Sequence, residues 1–530
     1  MLIVCISSSM AEGFDSTDAA GKAQLYFQRA MANGEAAGES FRRCNRYVEA
    51  WLRIADPESG LIPRNTKDRF WNAQDAAADN YSFMVLTASF TDRDLFKGRM
   101  LEMLESEIQL TSRLGSLPDT YDFSLRGFPA DTPDTKAIVF GSSEYVKDGL
   151  LPLTEWLGRS PWYDRLIAIV DDLWDRASCS TPFGMIVSED VEVNGEMLQA
   201  LSRIYWMTGD SKYLDWAIRL GDYYLLSTNH PTSHFSRLRL RDHGCEIVSG
   251  LCELYATVSY ARPNKKKAYR EPMHRMLDRI IEIGRNSDGL FYNVIDPVRG
   301  FPLDSRIADT WGYTLNGIYT VYLIDGERKY LEATRQALSS IGKYRNYEWE
   351  GDSSDGYADS IESAINLYNR EPSEGLSEWI DSEIKVMWSK QKSSGLIEGW
   401  HGDGNFARTS IMYALWKTAG CSVRPWREDL RLGAVRKNER LYLVVFCENE
   451  WSGKLYMDYP RHRMNMNLPM DWPRINQFPE WFTVDPKSRY VLDSETGKLS
   501  GSFGGKQLIE GVSLEIKPQE ILGIMVREEE

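Results

Sequence analysis

The sequence is short of the residues that carry metal, redox and nucleophile chemistry: six histidines and seven cysteines in 530 residues. The cysteines (Cys5, Cys44, Cys179, Cys245, Cys252, Cys421 and Cys447) form no CxxC and keep no regular spacing, so neither a zinc cluster nor a disulfide framework is indicated. HExxH, GxSxG and P-loop patterns are absent, and GSFGGK at 501–506 lies among strand-like runs, where it reads as a turn. Positive charge is also in deficit. With 62 Lys and Arg against 77 Asp and Glu, the net charge of −15 disfavours nucleic acid or an anionic membrane as partner, because both are held by clustered cations. No apolar run approaches the roughly 20 residues of a membrane span. The opening MLIVCISSSMAEG has a short apolar run and small residues but no basic start. It reads as the tail of a signal peptide, which favours a periplasmic or secreted location over a cytoplasmic one.

What is present is material for a large core: 42% hydrophobic residues and 26% charged argue against long disorder. Aromatics are in excess, with 17 Trp and 27 Tyr. Packed helices account for most of them, and the rest suit the faces of sugar rings.

An internal repeat organises the chain. YWMTGDSKYL at 205–214 aligns without gaps with YLIDGERKYL at 322–331, both reading as helix, Gly turn, Lys-Tyr-Leu, helix. Between them, CEIVSGLCELYATVSY from 245, the basic turn PNKKK and a second helix form a further unit. Apolar periodicity extends the pattern to pairs near 79–91 and 97–113, 143–157 and 162–176, 190–207 and 211–226, 245–261 and 267–284, 309–323 and 327–344, and 357–369 and 376–392. A last helix near 405–419 pairs with the N-terminal one near 40–55. Hairpins that cannot bury their faces alone stack on their neighbours, and the first helix of each pair, being the more apolar, faces inward. The expected fold is mainly α, an (α/α)6 or (α/α)7 toroid over residues 15–422. From Leu430 the runs LRLGAV, RLYLVVFC, KLYMDY, RYVLD and GVSLEIKPQEILGIMV alternate with period two, giving a C-terminal antiparallel β-sandwich domain over 427–530. PRHRMNMNLPMDWPRINQFP, with its four prolines, is expected to be a loop rather than a strand.

The segments that lead into the inner helices concentrate the polar chemistry: WNAQDAAADN (71–80), FGSSEY (140–145), SEDVEVNGE (188–196), RLRDHGCE (239–246), DSRIADTWGY (304–313), GDSSDGYADS (351–360) and GWHGDGNFAR (399–408). Any one Asp there serves as a helix cap. Caps need no adjoining His, Arg or Trp, yet His243, His401, Arg241, Arg408, Trp71, Trp311 and Trp400 recur at that place in the repeat. Asp242 and Glu246 are spaced i, i+4 with His243 between them, which puts both carboxylates on one face if the helix begins there. Asp75 and Asp79 share that spacing, and Asp355, Asp359 and Glu362 offer further carboxylates, Asp355 reading as a turn former because Gly follows it. The long segment 114–142 is expected to fold over the mouth as a lid or subsite wall.

TGDSKYLDWA at 208–217, DPESGLIPRN at 56–65 and SDGLFYNV at 287–294 resemble the six-hairpin glycosidase superfamily, which includes unsaturated glucuronyl hydrolases and many bacterial polysaccharide-utilisation proteins. The resemblance covers roughly residues 40 to 420 and rests on structural motifs more than catalytic ones. It implies an α/α toroid with its site at the mouth where the inner helices begin.

Three functions follow as expectations. The first is hydrolysis of a glycosidic bond in a uronic-acid-containing saccharide by a carboxyl pair: Asp242 or Glu246, assisted by His243, with Glu189, Asp190, Asp309 or Asp359 as second member. Trp71, Asp75, Asp79, Asn194, Trp311, Trp400, His401 and Asp403 would bind the sugar, and Arg241 and Arg408 its carboxylate. The second is β-elimination from a uronate, with Asn194 and an Arg neutralising the carboxylate and His243 or a Tyr removing the proton. The third is a noncatalytic glycan-binding toroid. His243, His401 and their neighbouring carboxylates lack a recognised metal-ligand spacing, so neither metal nor cofactor is expected.

Overall fold

The computed structural model describes residues 17–494 and 496–529; MLIVCISSSMAEG, with Cys5, lies outside the described residues. The other six cysteines are free thiols. The helices before residue 420 are α1 (Thr17–Ile54), α2 (Ser82–Thr91), α3 (Arg93–Lys97), α4 (Arg99–Thr111), α5 (Thr135–Glu144), α6 (Leu151–Leu157), α7 (Pro161–Asp175), α8 (Val191–Thr208), α9 (Ser211–Leu225), α10 (Glu246–Ala261), α11 (Pro263–Ile283), α12 (Trp311–Asp325), α13 (Arg328–Ser340), α14 (Ser354–Tyr368), α15 (Glu374–Ser389) and α16 (Asn405–Lys417). Two π-helical stretches, Ala73–Tyr81 and Tyr145–Leu150, run directly into α2 and α6 and pack on each other.

These helices close into a toroid of seven hairpins. The inner neighbours run α2, α5–α6, α8, α10, α12, α14 and α16, and α16 returns to α2. The seventh pair joins the two ends of the toroid, because α1 packs on α16 as its outer partner. The repeat is explained by its glycines: Gly209 and Gly326 end α8 and α12 in the left-handed conformation, each at φ 72, where a Cβ would be strained. Inner helices are buried around nearly their whole circumference, as in α10 from Glu246 to Val258, whereas outer helices such as α9 and α13 bury one stripe. Adjacent inner helices come into backbone contact where side chains vanish. A Cβ on Gly250 of α10 would lie 2.5 Å from the Gly195 carbonyl oxygen of α8.

The chain ends in two antiparallel sheets. One has five strands, in the order Leu430–Lys437, Arg440–Cys447, Ile521–Glu528, Arg489–Ser494 and Gly501–Gly504. The other has three, in the order Ser422–Arg424, Trp451–Tyr456 and Val512–Ile516. Leu443, Val445 and Ile524 of the first meet Leu455, Leu514 and Ile516 of the second in one core, making a β-sandwich.

The proline-rich stretch 460–479 forms no strand, and it is a plug rather than a surface loop. Trp472, Arg474, Asn476 and Gln477 are all fully buried. Arg474 pairs with Glu155 of α6 at 2.5 Å, the Ile475 carbonyl accepts from Arg203 of α8, and Arg370, just past α14, pairs with Asp471. These partners belong to the later parts of the inner helices, so the insertion closes the ring axis opposite the face where those helices begin. Segment 114–142 departs from expectation. Part of it pairs in short strands, Leu117–Pro118 with Ser112–Leu114 and Tyr121–Asp122 with Phe70–Trp71, it then starts α5, and none of it lines the central cavity.

Candidate active site

A cavity of about 550 Å3 opens where the inner helices start. Its wall collects Asp79, Lys147 and Asp148 from the π-helical stretches, Asp242, His243 and Glu246 at the head of α10, Asp355 and Asp359 from α14, and Asn405 and Arg408 from α16. Trp400 stands at the mouth, 79% exposed, with the Arg64 guanidinium 5.2 Å from its ring centre. Of the residues singled out from sequence, Asp242, His243, Glu246, Asp359, Asp79, Trp400, His401, Asp403 and Arg408 meet in this one space.

The others do not reach it. Trp71 and Trp311 are core residues, Trp311 donating to the Ser360 hydroxyl at 2.8 Å. Asn194 is buried behind the wall and donates to the Ser188 carbonyl and the Tyr224 hydroxyl. Glu189 and Asp190 are exposed, and Asp190 caps α8 through the Glu192 N–H. Asp75 is tied to Arg64 at 2.6 Å and to Asn72, and Arg241 lies half-buried off the wall. Asp309 is buried off the wall, where burial and then Asp359 hold its carboxyl well above the usual range. Apolar periodicity made these residues look alike because it registers helix starts, not rotation about the helix axis.

Lys147, Asp148, Glu144, Glu196, Glu350 and Asn476 join the site or its shell without having been picked out. A signal existed for two of them: Glu144 and Asp148 are i, i+4 acids within an otherwise apolar inner helix. The π-helical winding that turns Lys147 and Asp148 inward has no sequence signature.

Ion pairs fix the floor. Arg408 pairs with Asp359 at 2.6 Å and Glu362 at 2.9 Å, and the Tyr313 hydroxyl lies within hydrogen-bond distance of both carboxylates. Glu246 is held by Lys147 and Gln199, and Lys147 also reaches Asp148 at 2.7 Å. Asp242 sits at φ 51 and pairs with Arg239 at 2.7 Å. Burial works to raise its carboxyl, but His243 and Arg239 hold it below the usual range. Across the cavity, burial, followed by Asp403 and Glu350, pushes Asp355 up to about 7. Burial and then Asp355 raise Asp359 to about 6, against the pull of Arg408. Burial alone would lower the two imidazoles. Glu144, Asp242 and Asp148 nevertheless hold His243 well above its ordinary value, and Asp79 and Asp75 take His401 to about 9. Carboxyls on facing walls are thus biased toward opposite protonation states, the arrangement acid–base chemistry uses.

The fold and cavity define the chain as an α/α toroid protein with a carboxyl-lined central site and a C-terminal β-sandwich. No protein-family model matches the sequence, and no curated protein aligns with it significantly. Similar solved structures include an inactive variant of the GH76A alpha-1,6-mannanase of Salegentibacter sp. HEL1_6 in complex with alpha-1,6-mannotetrose, at 12% identity and TM-score 0.41, covering 71% of this chain and 97% of that one. Cellobiose 2-epimerase from Bacillus thermoamylovorans B4167 matches at 10% identity and TM-score 0.39, over 71% of this chain and 98% of its own. A possible member of the GH105 family from Salmonella enterica matches at 10% identity and TM-score 0.37, over 52% and 81%. No described helix is long and apolar enough to cross a membrane.

Proposed function

We propose that the chain is a glycoside hydrolase whose cavity binds a neutral saccharide, with Asp355 as general acid and Asp242 as its ionised partner. The observation that carries this reading is the meeting of Asp242, Asp355, Asp359 and the exposed Trp400 around one open cavity. Glycosidic cleavage needs one carboxyl that keeps its proton and one that does not. Asp355, near 7, fits the first role, and Asp242, paired with Arg239, fits the second. The open face of Trp400 suits a sugar ring, and Asp403 and Asn405 suit its hydroxyls.

A uronic acid fits less well than the sequence led us to expect. Arg408 is committed to Asp359, Glu362 and Asn476, Arg241 is off the wall, and the wall is rich in carboxylates that repel an acidic sugar. Elimination also loses its machinery. Asn194 faces away, and His243 holds its proton too firmly among four carboxylates to serve as base near neutral pH.

The test is incubation with a panel of neutral and uronate-containing oligosaccharides. New reducing ends from a neutral member, lost in D355N and D242N, are expected. An ultraviolet-absorbing unsaturated product would replace this reading with elimination, and binding without turnover across the panel would leave a glycan-binding toroid.

A further inference from the structure

At the cavity wall, four side chains from four successive parts of the fold point at one another. Glu144 closes α5, Asp148 lies in the π-helical stretch, Glu196 is on α8 and His243 precedes α10. One ligand atom from each lies within 4.8 Å of all the others. The His243 Nδ1 is 3.7 Å from Asp148 Oδ2 and 4.0 Å from Glu196 Oε1, and its Nε2 is 3.9 Å from Glu144 Oε2.

The second observation is the lack of protein partners. Glu196 is 0% exposed, and neither of its carboxylate oxygens accepts a hydrogen bond. The adjacent Ser143 hydroxyl gives its proton to the Phe140 carbonyl instead. Asp148 Oδ2 and His243 Nδ1 are likewise buried and unpartnered, although Asp148 Oδ1 is fully used by Lys147 and Asn476. Buried carboxylate oxygens left without donors are costly, and a group that draws them together offsets the cost. The other His–carboxylate cluster differs. There Asp75 is already bonded to Arg64 and Asn72, and His401 Nδ1 to the Gly402 carbonyl.

We propose that Glu144, Asp148, Glu196 and His243 bind one divalent transition-metal cation, of the Mn²⁺ or Zn²⁺ type. Three carboxylate oxygens and one imidazole nitrogen suit these ions better than Mg²⁺, which keeps to oxygen and water. Ligation through Nδ1 requires the cation to displace the proton that the surrounding carboxylates hold on the unliganded imidazole, and it leaves His243 Nε2–H facing Asp242 Oδ1 at 3.5 Å, the carboxylate–imidazole–metal relay common in such sites. The inference does not depend on the hydrolytic reading, since cation binding is measured without any sugar.

The test uses the full chain, stripped with a chelator and titrated with MnCl₂, free Mn²⁺ being followed by electron paramagnetic resonance and the same sample by thermal melting. One ion per chain and a raised melting temperature are expected. Losing even an outer-shell partner weakens metal sites by about 10–100-fold, so E196Q, which removes a direct ligand, should lose about 100-fold or more, while D75N keeps wild-type affinity. H243Q repeats the test if E196Q does not fold. Absence of binding at millimolar Mn²⁺ and Zn²⁺, or affinity unchanged in E196Q and H243Q, overturns the proposal.

Discussion

The side-chain amide of Asn476 donates to Asp148 Oδ1 at 2.7 Å, bridging 328 positions of sequence between the plug and the wall of the cavity. The same side chain accepts from Arg408 at 2.9 Å, and the Asn476 backbone N–H donates to Glu362 at 2.6 Å. Its φ of 61 is one that Asn tolerates better than most residues. One residue of the strand-rich part therefore braces three elements of the site. Hydrogen bonds to charged groups contribute about 1.5–3 kcal/mol each, so N476A should cost about 3 kcal/mol or more and lower the thermal melting temperature by several degrees. A melting curve identical to wild type would show that the plug does not brace the floor.

Arg408 is 3% exposed, its partner Glu362 is fully buried and its partner Asp359 is only partly exposed. Removing one member of a buried pair leaves an uncompensated charge, typically at about 3–5 kcal/mol. R408M should therefore be strongly destabilised in thermal melts, and R408M/D359N/E362Q, which removes the stranded charges as well, should recover much of the loss. If the triple variant melts no higher than R408M, packing rather than charge holds the floor.

The hairpin ring was legible in sequence because Gly209 and Gly326 mark equivalent turns and because the inner helices are the more apolar ones. The heads of α10, α14 and α16 were legible for the same reason: polar residues crowd where an apolar helix starts. The rest depends on rotation and long-range contact. Trp311 and Asn194 sit at helix starts like Asp242, but their side chains turn into the core. Asp148 is aimed by a π-helical turn and Asn476 by an insertion from another part of the chain, neither of which leaves a local pattern. The number of hairpins stayed open between six and seven because the deciding pair, α1 with α16, joins opposite ends of the toroid.

Trp400 is among the few large apolar side chains left in solvent, so its truncation should spare the fold. Stacking between flat ring faces contributes about 0.5–1.5 kcal/mol, which corresponds to a roughly 2- to 10-fold rise in KM for W400A with kcat little changed. The measurement is steady-state kinetics on whichever saccharide is cleaved, with a thermal melt alongside. A fall in kcat at constant KM would place the indole at the reacting centre instead of at a binding subsite.

Asp355 gives the pH dependence its sign. Its carboxyl is near 7 in the folded chain, raised by burial and then by Asp403 and Glu350, while His401 and the Asn405 amide act the other way. In the unfolded chain it ionises near 3.9. Below that value the proton is bound in both states and the contribution to stability is complete; as pH rises through about 7 the folded carboxyl must ionise too, and the contribution is lost. D355N has no proton to lose, so its melting temperature should gain on wild type between pH 4 and pH 8, by a margin equivalent to on the order of 2–4 kcal/mol. Activity should show the same group as an acid: the wild-type rate falls above about pH 7, and D355N loses about 10²–10⁴-fold at every pH. A melting difference that stays flat across this range would remove Asp355 as the proton donor, and the alkaline limb of the rate profile would then belong to Asp359.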